Sequence, residues 1–156
     1  MSAGFTPVSV QAAGFTDQQP GHDWMLARVI AFADNYRIEQ SITLFCGGVV
    51  ISGIVISGRE YCRVLAETVR GFPVFGGKEA GDGPLLTAVM AEAYRRFETE
   101  YPAFEPESED PPRFPDHVHL RDARIVTPGQ PAQPSDGMLW RGKMTAIDGF
   151  TLSRLE

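Results

Sequence analysis

Between residues 40 and 58 the chain reads QSITLFCGGVVISGIVISG, nineteen residues without a charge. A helix crossing a bilayer needs about 20 apolar residues, so length alone would permit a membrane span. The residue types argue otherwise. Ile42, Thr43, Val49, Val50, Ile51, Ile54, Val55 and Ile56 are β-branched and favour a pleated strand. Gly47-Gly48 lies in the middle and supplies the positive-φ pair that a two-residue hairpin turn requires. The stretch is therefore predicted to fold back on itself, with Cys46 opposite Val49, Phe45 opposite Val50, Leu44 opposite Ile51, Thr43 opposite Ser52 and Ile42 opposite Gly53. That register places Ile42, Leu44, Cys46, Val49, Ile51 and Val55 on one face. The other face mixes Ser41, Thr43 and Ser52 with Phe45, Val50, Ile54 and Ile56, too apolar to be left in water. A helix of the chain or a second subunit is expected to cover it.

A chain of 156 residues suits one compact domain. The net charge of −6 argues against general affinity for nucleic-acid phosphates or anionic lipid, while leaving room for a local basic patch. No basic segment followed by an apolar run opens the chain, which points to the cytoplasm. Cys46 and Cys62, both among apolar neighbours, read as small buried hydrophobes rather than a disulfide or a zinc site.

Residues 1–22 lack periodicity and read as a disordered tail before a single α+β domain over 23–156. Asp23 can cap a first helix whose Met25, Val29, Phe32 and Tyr36 form an inward stripe. Ser57 and Glu60 have capping-box spacing, opening a second helix with Tyr61, Leu65, Thr68 and Val69 inward and its end at Gly71. A third helix begins after Pro84, with Leu86, Val89, Met90, Ala93 and Phe97 inward, and stops by Tyr101-Pro102. Flexible loops are expected at 71–84, 101–116 and 127–137, the second of them acidic and Pro-rich. Strands are predicted from 117 to about 126 and from 138 to 147, with Asp148-Gly149 turning into a last strand, FTLSRL. The fold expected is a small, twisted antiparallel sheet or open barrel of about five strands, with an N-terminal helix and two inserted helices.

Reactive constellations are thin. His117 and His119 alternate along a strand and so point the same way, as metal ligands can, but a third ligand at suitable spacing is missing. No catalytic residue, metal or cofactor is expected. The same strand logic sets His117, His119 and Arg121 beside Arg141 and Lys143, a basic stripe on an acidic chain. Together with Phe45, Val50 and Ile54 of the hairpin it makes the candidate interaction surface.

The segments SITLFCGGVVISGIVISGREY, HLRDARIV and MLWRGKMTAIDGF resemble the gas vesicle accessory family GvpU, over 42–61 and 119–150. Gly47, Gly48 and Gly53, then Trp140 with Gly142, and Asp148, Gly149 and Phe150 are the residues that carry the likeness. The resemblance implies a non-enzymatic cytoplasmic protein that associates with gas vesicle shell or accessory proteins and promotes assembly or clustering, with self-association and without membrane insertion. A fold-level likeness to the small β-barrel of Sm-like proteins, which form rings and bind RNA, is the alternative. The RNA-contacting positions of that family would fall near 59 and 119, where Arg59 belongs to a helix start and an insertion of over fifty residues interrupts the pattern.

Overall fold

A computed structural model describes residues 23–72, 83–101 and 115–155. The tail over 1–22, the middle of the 71–84 loop and most of the acidic Pro-rich stretch lie outside the described residues. The chain forms helix α1 (Trp24–Tyr36), strands β1 (Gln40–Cys46) and β2 (Val49–Val55), helices α2 (Gly58–Arg70) and α3 (Gly83–Glu100), and strands β3 (His117–Val126), β4 (Gln133–Lys143) and β5 (Gly149–Thr151). The architecture is α+β: three helices and a five-stranded antiparallel open sheet in the order β4-β3-β2-β1-β5.

The β1–β2 hairpin has the register read from the sequence, from Cys46 opposite Val49 to Ile42 opposite Gly53. Gly47 and Gly48 turn it with φ of 56° and 83°, values an L side chain rarely adopts. On the inner face Ile42, Leu44, Ile51 and Val55 join Val118, Leu120 and Ala123 of β3 beneath α1. Cys46, Met138, Trp140 and Phe150 pack partly buried around that cluster.

The third and fourth strands depart from expectation at their ends. β4 begins at Gln133, inside the predicted 127–137 loop, and stops at Lys143, where a 3-10 turn over Met144–Ala146 takes over. β5 does not fold back onto β4; it pairs with β1, setting Phe150 opposite Leu44. Only five residues thus join the two edge strands. In a flat sheet those edges would stand about 19 Å apart, at about 4.8 Å per strand. A linker that includes a 3-10 turn, rising about 2 Å per residue, does not span that with ease, so the sheet curls. Met144, buried at this closure, donates its N–H to Asp116 O, and Asp148 donates its own to Phe45 O.

The helices bury stripes shifted from those predicted, although Val69 of α2 is buried as expected. α1 is capped by Asp23, which accepts from the N–H groups of Met25 and Leu26, yet it buries Leu26, Ala27, Ile30 and Ala33 while Met25, Phe32 and Tyr36 face out. α2 buries Cys62, Ala66 and Val69, with Tyr61 and Leu65 half-buried. Ser57 caps it by accepting from Glu60 N, whereas the Glu60 carboxylate binds Arg63 instead of reaching back. In α3 the inward positions are Thr87 and Ala91, then Tyr94 and Glu98. Small side chains at these contacts let α2 and α3 pack closely along their length.

The outer face of the hairpin is covered, but chiefly by the chain's own end. Thr43 and Ser52 are fully buried there beneath residues 153–155. Leu155 donates its N–H to Ser52 Oγ, and Thr43 Oγ1 donates to Ser153 O at 2.7 Å. Since a carbonyl only accepts, Thr43 has spent its one hydrogen on Ser153, and the 3.1 Å contact between the two hydroxyls is made by the Ser52 hydrogen. Beside this chain of bonds Arg154 pairs with Asp122, which stands at a bulge in β3 with φ of 49° and also binds Arg124. Gly137 faces that bulge. A Cβ there would lie 2.2 Å from Asp122 Oδ1.

Candidate functional site

The residues that carry the sequence likeness hold the curled sheet at its two edges. Asp148 Oδ2 accepts from Gly47 N at 2.6 Å, so one carboxylate ties the hairpin turn to the start of β5. Gly149 follows opposite Phe45, and Phe150 adds its ring to the inner cluster. At the other edge the Trp140 indole lies across Gly142, where a Cβ would come within 2.1 Å of the ring. Gly53 accepts the close approach of β3, because its Cβ would meet the Ala123 and Arg121 backbone at 3.1 Å.

The expected basic stripe is assembled in part. His117 pairs with Lys143 and His119 with Arg141, so all four project from the outer face. His119, however, is only 2% exposed. The ring of Tyr61 lies 4.8 Å from its own, that of Tyr101 stands edge-on at 5.5 Å, and Tyr101 packs on Gly58 at the start of α2. Arg141 Nε donates toward His119 Nε2 at 3.3 Å, and the Tyr101 hydroxyl approaches the same nitrogen at 3.1 Å. An arginine only donates, so Nε2 is the acceptor and the ring hydrogen sits on Nδ1, which is buried and unpartnered among the described residues. Burial first, then the charges of Arg141 and His117, push the His119 pKa down to about 3. His117 is lowered as well, by burial and by Arg141.

Arg121 is also withdrawn from the stripe, since Glu39 binds its guanidinium through two contacts. Arg141 and Lys143 remain exposed, with His117 between buried and free. Of the apolar candidates, Phe45 is 42% exposed and its neighbour Val49 44%, at the hairpin tip. Val50 and Ile54 are half-buried. Sequence reasoning missed Tyr61, Tyr101 and Gly58 as the cover over His119. A small residue at the second helix start and an aromatic at the third helix end were the available signals.

Burial raises the thiols of Cys46 and Cys62, which keeps them protonated and poorly nucleophilic at neutral pH. Among the described residues no group of three or more His, Cys, Asp or Glu could hold a metal ion, and no helix is long and apolar enough to cross a membrane. An open cleft of about 470 Å³ lies where α1, α2 and α3 meet, lined by Arg37, Arg59 and Arg63 together with Glu39, Glu60 and Glu98. Its charges largely answer one another.

What the described residues present is an α+β scaffold with an apolar hairpin tip, two exposed cations on β4 and outward apolar side chains on α1 and α3. The chain belongs to the GvpU-like gas vesicle protein family, whose pattern matches residues 23–155. That span includes the inserted helices, beyond the two segments on which the sequence likeness rested. No curated protein and no solved structure matches the chain.

Proposed function

We propose that this protein associates with gas vesicles or their proteins and promotes their assembly or clustering through surface contacts alone, without catalysis or a bound cofactor. The observation that carries the reading is membership of the GvpU-like family across 23–155. The surface supports it. Phe45 and Val49 at the hairpin tip form an apolar contact point, and Arg141 with Lys143 sets a short positive edge at the far end of β4. Such a pairing suits a protein surface with apolar and acidic patches. On this reading the protein works in the cytoplasm, at the vesicles. Two cations are few for a nucleic-acid track, because salt-dependent affinity grows with each phosphate neutralised.

Flotation tests the reading, since buoyant vesicles rise while free protein stays below. Purified protein is expected to rise with intact vesicles, and a variant carrying Phe45→Ser with Lys143→Glu to rise several-fold less. Protein that never floats, in cells where its deletion leaves vesicle number and clustering unchanged, would overturn the assignment. Submicromolar binding to single-stranded RNA at physiological salt would replace it with the Sm-like alternative.

A further inference from the structure

Helix α3 turns Val89, Met90 and Phe97 away from the fold. Its contact with α2 uses a stripe of Thr87, Ala91, Tyr94 and Glu98, while Val89 and Phe97 are 59% and 45% exposed, Met90 40%, and Ala93 is open to solvent. At about 100° per residue these four exposed positions share one arc of roughly 100°, the width of a stripe that packs on another helix. Nothing among the described residues lies on it. The arc is flanked by Glu92 and Arg96, neither of which forms an ion pair among the described residues.

We propose that this arc is a dimerisation surface on which α3 of one copy packs antiparallel against α3 of a second copy, around a two-fold axis at Ala93. The arrangement follows from the spacing. Val89 and Phe97 stand four residues on either side of Ala93, so each Val89 meets the partner's Phe97, and the small Ala93 side chains allow close approach at the axis. At about 1.5 Å rise per residue, Glu92 and the partner's Arg96 fall roughly 3 Å apart along the axis and on the same flank. Two reciprocal ion pairs result. A parallel pairing would set Glu92 beside Glu92 and Arg96 beside Arg96, which like-charge repulsion disfavours.

The charges also select the occupant. The first 22 residues carry Asp17 as their one charged side chain apart from histidine, so they offer no partner for Glu92. A second copy offers both signs at the required spacing. The dimer would carry two hairpin tips, and two-site contact strengthens attachment and permits bridging.

Sedimentation equilibrium on the full chain should give a dimer mass that dissociates on dilution. Ala93→Arg, at an exposed position, should weaken association at least about tenfold with the far-UV circular dichroism unchanged. Glu92→Arg alone should also weaken it, and adding Arg96→Glu should restore it, because the swapped pair recreates the same contacts. A chain carrying Val89→Cys and Phe97→Cys should give an oxidant-dependent covalent dimer through those thiols. Should Ala93→Arg disturb the helix, the charge swap decides instead. A monomer at every concentration, a dimer indifferent to Ala93→Arg, or a charge swap that fails to restore association would overturn the assignment.

Discussion

On its inner face the β1–β2 hairpin sets Ile42, Leu44, Ile51 and Val55 against α1. On its outer face Thr43 and Ser52, just as deeply buried, meet the backbone of the chain's end. The inner seal is non-directional and grows with area, at about 1.5–3 kcal/mol for each large aliphatic side chain buried. The outer seal depends on direction. Each of its hydrogen bonds nets only about 0.5–1.5 kcal/mol, but a buried donor or acceptor left without its partner costs about 1–3 kcal/mol. One sheet is therefore closed twice, once by shape and once by a specific order of donors and acceptors, and the two closures should fail in different ways.

The largest effect is expected on the inner face. Leu44→Ala removes a fully buried side chain from the middle of the cluster, in a sheet with little freedom to collapse around the hole. Such truncations cost about 2–5 kcal/mol. Chemical denaturation should show the loss with little change in slope. A cost under about 1 kcal/mol would mean that the inner face is not the principal core.

A smaller and more local effect is expected outside. Thr43→Val keeps the shape but removes the hydroxyl that donates to Ser153 O and accepts from Ser52. We expect a loss of about 1–3 kcal/mol. The sharper readout is hydrogen exchange. The Leu155 amide, held by Ser52, should exchange faster in Thr43→Val than in Leu44→Ala at matched global stability. Equal exchange would show that the C-terminal segment is held by Arg154 and Asp122 rather than by the hydroxyl pair.

The hairpin was legible because three local signals agreed there: β-branched composition, a Gly-Gly turn, and a period of two that only one register satisfies. The helices began where caps were read, at Asp23 and Ser57, but their buried faces were misread in the same sense each time. The predicted stripe 25, 29, 32, 36 became 26, 30, 33; that of 61, 65, 68, 69 became 62, 66, 69, which keeps Val69; and the described positions 89, 90, 93, 97 of the third gave way to 87, 91, 94, 98. Side-chain size selected the predicted stripes. Packing selected the neighbouring ones, because Ala27, Ala33, Ala66 and Ala91 allow close approach whereas Phe32 and Phe97 do not. The cover over His119 was illegible for another reason, since it joins residues far apart in the chain and no local pattern announces it. The basic stripe shrank accordingly, its alternation correct and its exposure misjudged.

The same cover yields the smallest effect near neutral pH, and its sign can be worked out. Tyr61 and Tyr101, both raised by burial, and Arg141 and His117 face the His119 ring and hold it neutral down to a pKa of about 3. Once the chain unfolds, that ring titrates near its ordinary value of 6.5. Between those two values the unfolded state binds a proton that the folded state refuses, so stability is fully present above about pH 6.5 and falls as pH drops. Where the unfolded ring is fully protonated the slope approaches about 1.4 kcal/mol per pH unit. Lowered His117 adds in the same sense. Asp34, raised by burial, works the other way at lower pH, because there the folded state takes up the extra proton. Between pH 6.5 and 5 the difference between the protein and a His119→Leu variant therefore isolates the histidine, because Asp34 acts equally in both. His119→Leu should flatten the fall there, while lowering neutral-pH stability by about 0.5–1.5 kcal/mol because Arg141 Nε and the Tyr101 hydroxyl lose their acceptor at Nε2. An unchanged slope in that variant would mean that the buried ring takes up its proton without unfolding, and that the outer face opens more readily than its packing implies.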